Sequence, residues 1–511
     1  MTMEWTRHLD EAGVVRLAEL LALKIRCGDV IALSGDLGAG KTTLARALIG
    51  AVMRDGNTEV PSPTFSLHQS YVSPRLTIAH FDFYRLSGAN EAVELGFEDA
   101  AQDGAVLVEW PERVAALLPE ARIEIVLAET GDPAVRSVTL RGLGGAADRV
   151  ARVADVMAFL DRQAEWSRAR ITYLQGDAST RAYARLSAGG RTALLMDAPR
   201  QPDGPPVRDG KPYSQIAHLA EDMVRAFAAI AGPLRAAGLS APEILAEDFE
   251  NGLLLVEDLG DRVFSAEVMR GASQDALWHA AVDALVAIQR SEAPQHLPLR
   301  GGRYVLQDYD SAALQIEIEL LIDWYWPALY GEPAPEAVRT EFLALWSAVF
   351  ERLERQPSGW VLRDFHSPNL IWLPERGGVR RVGVLDFQDA QRGPAAYDLV
   401  SLLQDARVDV TETLENTLLA HYCAAVRNRQ PHFDEAEFSF AYNALGAQRS
   451  TKVLGIFVRL AHRDGKQQYL AHLPRIWGYL QRNLRHVTLA PLAAWYEKHF
   501  PISVRDGKLP L

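Results

Sequence analysis

From Leu9 to Arg26 apolar residues recur at helical spacing, behind Asp10, which has the chemistry of a helix N-cap. Asp29 to Ser34 (DVIALS) reads as a short buried strand, Gly35 to Thr43 (GDLGAGKTT) as a glycine-rich turn, and LARALIGAVM as the helix that follows. Val60 to Leu67 (VPSPTFSL) carries prolines on both sides of Ser62 and is expected to be extended. Leu76 to Arg85 (LTIAHFDFYR) and Ala105 to Trp110 (AVLVEW) come next as strands. In the first of them His80, Asp82 and Tyr84 alternate onto one face. Leu140 to Ala147 (LRGLGGAA) reads as a linker, and helical periodicity resumes from Asp148 to Arg168.

Ile171 to Pro199 is then expected to form a strand, a glycine-containing loop, a second strand, a turn at Gly189-Gly190 and a third strand. His218 to Ala229 has an amphipathic helical pattern, with Glu221 a candidate ion-pair member. Gly252 to Asp261 (GLLLVEDLGD) reads as a buried strand ending in a charged turn. From Asp275 onward the pattern is mostly helical, including Tyr309 to Tyr325, Tyr397 to Arg407 and Ala447 to Arg475. Trp278, Trp324, Trp326 and Trp346 fall within these helices and are expected mainly in the core. Val361 to Asp389 (VLRDFHSPNLIWLPERGGVRRVGVLDFQD) interrupts the helices. It reads as a loop, a short apolar run, a turn at Glu375 to Gly378, and a second apolar run ending in Asp386. The fold expected is multidomain: an α/β domain over residues 1–145, then an α+β domain over 148–511 with a sheet N-lobe and a helical C-lobe.

Composition narrows the function. A chain of 511 residues exceeds one ordinary core, and a 48% hydrophobic fraction argues against disorder. A net charge of −13 disfavours a protein that grips nucleic acid unaided, and leaves an indirect role on RNA within a complex. Only Cys27 and Cys423 are present, so no disulfide framework is expected and reducing cytoplasm is the expected location. The N-terminus lacks the apolar core of a signal peptide, and no run is long enough to span a bilayer.

Gly35 to Thr42 is G-x-x-x-x-G-K-T between a strand and a helix, the context in which that motif cradles phosphates. Gly35, Gly38 and Gly40 let backbone N–H groups turn inward, and the helix N-terminus adds its positive end. Lys41 is expected to reach the β/γ-phosphates and Thr42 to hold Mg²⁺, with Thr43 beside it. Asp82, near a strand end, is a candidate metal anchor. Glu109 is a candidate for orienting water or contacting metal, or is a strand-end charge. Ser62 lies on either a nucleotide-sensing switch or a plain connector. GDLGAGKTT, VPSPTF, HFDFYRL, ELGFED and VLVEWPER, in that order, resemble the bacterial TsaE family. That family is the P-loop ATPase of the machinery that makes threonylcarbamoyladenosine in tRNA. The resemblance implies that Lys41, Thr42 and Thr43 bind nucleotide and metal, and that Asp82 and Glu109 serve metal and hydrolysis. It also places Ser62 to Phe65 in a switch loop, and implies partner subunits that carry out threonylcarbamoyl transfer.

In the second segment Asp364, Asn369 and Asp386 follow the order in which kinase-like phosphotransferases place a catalytic Asp, a metal-binding Asn and a second metal-binding Asp. Asp364 is the candidate base toward an acceptor hydroxyl, with Asn369 and Asp386 as oxygen ligands for Mg²⁺. Ser179 and Thr180 are candidates for closing over ATP phosphates, and Leu255 to Asp258, including Glu257, for the adenine. The third strand (ALLMDAP) lacks the lysine that kinases place there; Arg181 is a substitute or a solvated charge. Leu362 stands where a His usually precedes the catalytic Asp. Glu317, Glu319 and Asp323 are candidates to border a substrate pocket. Asp398 is expected to pin the catalytic loop. Arg449, Lys452, Arg459 and Arg463 either meet an anionic group or form a solvated helix face, and His366 either contacts substrate or is satisfied by backbone.

The segment resembles the aminoglycoside-phosphotransferase superfamily. More narrowly, GDASTRAY, LLMDAP, EDLGD, RDFHSPNL, VLDFQDA and KVLGIFVRL resemble the AmgK-type anomeric sugar kinases. That resemblance implies ATP-dependent phosphorylation of the anomeric hydroxyl of N-acetylmuramate and N-acetylglucosamine in cell-wall recycling. A pseudokinase scaffold fused to a nucleotide-gated binding module, and a kinase for an aminoglycoside or another small alcohol, stay open at this point.

Overall fold

The computed structural model describes residues 2–54, 59–86, 88–174, 181–505 and 509. They pack as two compact units: Met1–Pro199 with Ile244–Asp258, and Arg200–Glu243 with Leu259–Leu511.

The first unit opens on β1 (Thr2–Asp10), a strand that the sequence pattern does not announce, followed by α1 (Glu11–Lys24). Asp10 caps α1 as expected, accepting from the Gly13 N–H at 2.9 Å. Then come β2 (Val30–Ser34), α2 (Lys41–Met53), β3 (His68–Tyr71), β4 (Ile78–Asp82), α3 (Ala89–Glu94), α4 (Phe97–Asp103), β5 (Ala105–Glu109), β6 (Ile123–Glu129) and β7 (Val135–Leu143). The sheet order is β1-β7-β6-β2-β5-β4-β3. The strands β6, β2, β5 and β4 are parallel, with antiparallel strands at both edges. The run expected to be a linker is structured: Leu140–Leu143 belong to β7, and Gly144–Ala146 form one tight turn into α5 (Ala147–Asp161). A Cβ at Gly142 would lie 2.8 Å from the Ala146 carbonyl oxygen and 2.9 Å from Val150, so glycine there lets α5 fold back onto the sheet.

Three antiparallel strands follow, β8 (Arg170–Leu174), β9 (Ala182–Ala188) and β10 (Arg191–Asp197). The chain leaves this unit for a hairpin of β11 (Pro206–Arg208) and β12 (Lys211–Pro212) and the helices α6 (Tyr213–Ile216) and α7 (Met223–Ala236). It returns with β13 (Ile244–Asp248) and β14 (Leu253–Glu257) to complete a sheet of order β13-β14-β10-β9-β8. The helix expected from His218 starts at Met223, capped by Asp222, and His218 itself has a left-handed backbone at φ 51°.

Helix α1 explains why the two sheets form one body. Leu17, Ala18, Leu20, Leu21 and Ala22 are all buried, so the helix is apolar on more than one face and needs cover on each. One continuous apolar cluster joins it to Ile31 and Leu33 of the first sheet, to Val153, Val156 and Leu160 of α5, and to Ile171, Leu186, Leu195 and Leu255 of the second sheet. Polar contacts fix the register. Glu19 accepts from the Ile171 N–H at 2.8 Å. The Arg149 side chain bonds Asp29 at 2.6 Å. Asp197, at the end of β10, is paired with both Lys24 and Arg152, the latter at 2.6 Å.

The second unit is helical, built from α8 (Phe264–Met269), α9 (Gln274–Ile288), α10 (Ser311–Leu320), α11 (Trp326–Tyr330), α12 (Glu336–Leu353), α13 (Ala396–Leu403), α14 (Glu412–Arg427), α15 (Glu435–Asp464), α16 (Leu473–Asn483) and α17 (Ala490–His499). Antiparallel pairs join β15 (His296–Leu299) to β16 (Gly302–Val305), β18 (Leu370–Trp372) to β19 (Val382–Val384), and β17 (Ser358–Val361) to β20 (Gln391–Pro394), the last enclosing β18 and β19. Trp278 and Trp346 are fully buried, as their spacing predicts, together with Trp360 and Trp477. Among the described residues no helix is long and apolar enough to cross a membrane.

Asp197 is 4% exposed and answers two cations that are themselves largely covered. Asp197→Ala strands both charges and is expected to lower stability by about 3 kcal/mol, read as a reduced midpoint in urea unfolding. A midpoint equal to that of the unmutated chain would show that the pairs are dispensable.

Candidate active sites

In the first unit the parallel register sets Asp82 and Glu109 side by side at the ends of β4 and β5, next to the loop that leaves β2. That loop turns at Gly35, Gly38 and Gly40, with φ of 146°, 84° and 105°. A side chain at Gly35 would strike the Leu127 carbonyl. The loop opens α2, whose first three residues are Lys41, Thr42 and Thr43. The Lys41 ammonium donates to the carbonyls of Gly35 (2.7 Å) and Asp36 (3.0 Å) and lies 3.9 Å from the centre of the Trp110 ring. Burial lowers the Lys41 pKa, while Glu109, Asp82, Glu112 and Asp36 act to hold its charge. The Lys41 ammonium thus points back into its own loop, where its donors are within reach of the glycine-rich turn.

Thr42 donates to Glu109 at 3.2 Å, and the buried His80 Nε2 is 3.1 Å from the same carboxylate. Asp82 accepts from Ser62 (3.0 Å), Thr64 (2.9 Å) and the Tyr84 N–H (3.0 Å). The proline-bracketed loop is thus tied to the acidic end of β4. Tyr84 lies beyond that strand, and its exposed ring packs 5.0 Å from Trp110, so the one-face alternation with His80 and Asp82 ends at Asp82. Sequence reasoning passed over Trp110. Its signal was the WPER run, in which Pro111 starts a new helical turn and Trp110 takes a left-handed backbone at φ 62°.

In the second unit Asp364, Asn369 and Asp386 converge. The Asn369 side chain donates to the Asp364 carbonyl at 3.0 Å and approaches Asp386 at 3.5 Å. Leu385 N–H donates to the Asn369 carbonyl at 2.9 Å, locking the two segments together. Arg363 and Asp386 have left-handed backbones, at φ 68° and 59°, which the surroundings must hold. Asp398, on α13 and fully buried, accepts from the N–H groups of Leu362 (2.6 Å) and Arg363 (3.0 Å), so it pins the loop as expected. Burial pushes the Asp398 carboxyl up to about 7, against those two amide bonds. Leu362 itself is packed in the core.

Burial also acts to raise the Asp364 pKa. It is overruled by His366 at 3.8 Å and by the charges of Lys452 and Arg363, which hold the carboxyl well below the usual carboxylate range. Gln388, which the sequence pattern did not single out, donates to Asp386 at 3.0 Å and to Asp389 at 3.2 Å. Asp389 in turn accepts from the Ala220 N–H at 2.7 Å.

The acidic candidates of α10 and the turn after it are held in ion pairs. Glu317 is fully buried and answers Arg363, Lys452 (2.8 Å), Tyr309 (2.5 Å) and Gln448 (3.0 Å). Glu319 pairs with Arg208 (2.5 Å) and Arg339 (3.3 Å), and Asp323 with Arg339. Glu221 pairs with Arg200. Glu257 ends β14, opposite Ala193, and Arg185 pairs with Asp258 at 2.7 Å on the same sheet. Ser179 and Thr180 lie outside the described residues. Strand β10 holds no lysine, and its Asp197 faces the shared core.

A family model for the threonylcarbamoyl adenosine biosynthesis protein TsaE matches residues 9–138, and one for the phosphotransferase enzyme family (APH) matches residues 170–437. The chain is 40% identical over 340 residues to the N-acetylmuramate/N-acetylglucosamine kinase of Caulobacter vibrioides, a match covering 65% of this chain and 92% of that protein. It is 36% identical over 313 residues to the Pseudomonas aeruginosa protein of the same name, covering 60% and 81%. At the N-terminal end it is 42% identical over 118 residues to the tRNA threonylcarbamoyladenosine biosynthesis protein TsaE of Rickettsia felis, covering 23% and 68%. With one family match over more than half its length, and the pinned Asp364 loop to go with it, the chain belongs to the phosphotransferase enzyme family and carries a TsaE-type P-loop domain fused ahead of its kinase-like fold.

Proposed function

We propose that this is a bifunctional cytoplasmic enzyme. Its P-loop part hydrolyses ATP for threonylcarbamoyladenosine modification of tRNA, meeting tRNA only through partner subunits. Its kinase part transfers phosphate from Mg-ATP to the anomeric hydroxyl of N-acetylmuramate or N-acetylglucosamine, as expected of cell-wall recycling. The observation that carries the kinase reading is the convergence of Asp364, Asn369 and Asp386 on a loop pinned by Asp398. The names of the relatives support the acceptor.

The roles follow from the chemistry. Asp364, held ionised, accepts a hydrogen bond from the acceptor hydroxyl and orients its oxygen for in-line attack. With its pKa kept low, it contributes more by positioning than by basicity. The amide nitrogen of Asn369 donates to the Asp364 carbonyl and approaches the Asp386 carboxylate, so neither contact uses its amide oxygen. One amide oxygen and one carboxylate suit Mg²⁺ that arrives with nucleotide phosphates, and the ion when bound neutralises phosphate charge. Ser179 and Thr180 are assigned to the phosphates, and the Glu257 region of β14 to the adenine.

In the P-loop part, Gly35, Gly38, Gly40, Lys41 and Thr43 hold the triphosphate, and Lys41 exchanges the loop carbonyls for phosphate oxygens. The Thr42 hydroxyl, with Glu109 and Asp82 nearby, forms an all-oxygen set suited to Mg²⁺. Glu109, shared by Thr42 and His80, is placed to orient the attacking water. The bonds from Ser62 and Thr64 to Asp82 couple the switch loop to that site. Phe65 and Leu37 are 85% and 76% exposed, and they give a partner subunit an apolar contact beside the nucleotide loop.

Two substitutions in the full chain test the division of labour. Asp364→Ala is expected to lower kcat for N-acetylglucosamine phosphorylation on the order of 10²–10⁴-fold while ATP hydrolysis at the P-loop persists. Lys41→Ala is expected to do the reverse. Loss of sugar phosphorylation in both, or phosphorylation of kanamycin in place of either sugar, would sink this reading.

The pinned loop also predicts a pH dependence. The Asp398 carboxyl is neutral below about 7 and anionic above it. Its two amide bonds are therefore at full strength on the alkaline side. The kcat of the kinase is expected to fall as pH drops through about 7. Asp398→Asn, with no charge to lose, should flatten that limb at a lower plateau; an unchanged limb in the variant would assign it to another group.

A further inference from the structure

The helix α15 carries four cations, and three of them are committed. Arg449 is turned inward to the Gln404 carbonyl at 3.4 Å. Lys452 is bonded to Glu317 at 2.8 Å and to the Tyr397 hydroxyl at 3.2 Å. Arg463 forms a bidentate pair with Asp464, at 2.7 and 2.9 Å.

Arg459 is different. Among the described residues it has no carboxylate and no carbonyl partner. Its guanidinium lies 5.6 Å from the centre of the Tyr213 ring, and its Nε is buried without a hydrogen bond. Burial and the neighbouring Arg463 act against its charge. Asp464 favours it only at a distance, being already taken by Arg463. A half-buried guanidinium with an unanswered donor is the state that a bound anion relieves.

Its place in the unit says which anion. Arg459 is seven residues beyond Lys452, so both lie on nearly the same face of α15, about 10 Å apart along the axis. Lys452 is close enough to Asp364 to help hold that carboxyl ionised. The Tyr213 ring of α6 lies against Arg459, and the Lys452 charge is felt at the Tyr213 hydroxyl.

We propose that Arg459 binds the carboxylate of an acidic amino-sugar acceptor and sets the preference for the acid over the neutral sugar. The inference rests on the acceptor reading given above. N-acetylmuramate presents a carboxylate on a short ether arm, and the planar guanidinium fork matches it with two parallel N–H donors. N-acetylglucosamine lacks that group and leaves the fork unanswered. The Tyr213 ring holds the guanidinium plane in place.

The test uses the full chain and both sugars. A charged hydrogen bond of this kind corresponds to roughly a tenfold to hundredfold effect on binding. Arg459→Ala is expected to lower the ratio of kcat/KM for N-acetylmuramate to that for N-acetylglucosamine by about tenfold or more, chiefly through the KM of the acid. Arg459→Lys is expected to recover part of the ratio, because it returns the charge without the fork. An equal fall for both sugars, or an unchanged ratio, overturns the assignment. If the unmutated chain phosphorylates neither sugar, the acceptor reading fails first and this inference goes with it. Should the alanine variant fail to fold, the lysine variant alone decides: a ratio equal to that of the unmutated chain counts against the fork.

Discussion

Helix α1 has two sheets to satisfy, and most of the first unit follows from that. A helix buried on more than one face cannot be stable as the outer layer of a single sheet, because part of its apolar surface would meet water. Here one side packs on the P-loop sheet and another on the strands of the kinase-like sheet, with α5 closing the remaining gap. The arrangement explains why the connection between the halves is a three-residue turn and no flexible tether. It also explains why an acidic residue, Asp197, stands at the end of a strand with a cation from each of the two helices. The apolar cluster supplies the adhesion, and the paired charges fix the register of the second sheet against the helices.

Both candidate sites in this chain are loops with backbones held in left-handed conformations. At the first, three glycines adopt positive φ at little cost, and the price falls on Trp110, which takes a left-handed backbone to lay its ring by Lys41. At the second, Arg363 and Asp386 are left-handed without being glycine, at about 1–3 kcal/mol each. The compensation is visible. Two amides find Asp398, Arg363 finds Glu317, and Asn369 ties the start of the loop to its end. Such sites are preorganised because the reacting groups cannot relax without breaking several buried bonds together.

The buried charges around Glu317 show how a hydrophobic helix can carry a polar centre. A lone carboxylate at zero exposure would be neutralised by its surroundings. Against its burial, Lys452, Arg363 and Tyr309 lower the Glu317 pKa, and Glu317 serves as the anchor of Arg363 in the Asp364 loop. The same network removes Lys452 from the pool of free cations on α15, which is why Arg459 stands apart.

The sequence by itself determined the local chemistry. The strand–loop–helix at Gly35 to Thr43 and the convergence of Asp364, Asn369 and Asp386 could be read because backbone turns, helix starts and closely spaced polar side chains depend on residue type at short spacing. The tryptophans of the helical unit were legible for the same reason, through period and polarity. Tertiary structure decided what depends on neighbours remote in the chain. It made β1 a strand by pairing it with β7 and converted the apparent linker into a strand end and turn. It also gave α1 a second sheet to cover. It assigned Glu317, Glu319 and Asp323 to ion pairs and sorted four similar cations on one helix into three that are satisfied and one that is not. Periodicity says that a face is buried or charged; only the fold says what lies against it, because burial and pairing energies belong to contacts between segments remote from each other in the chain.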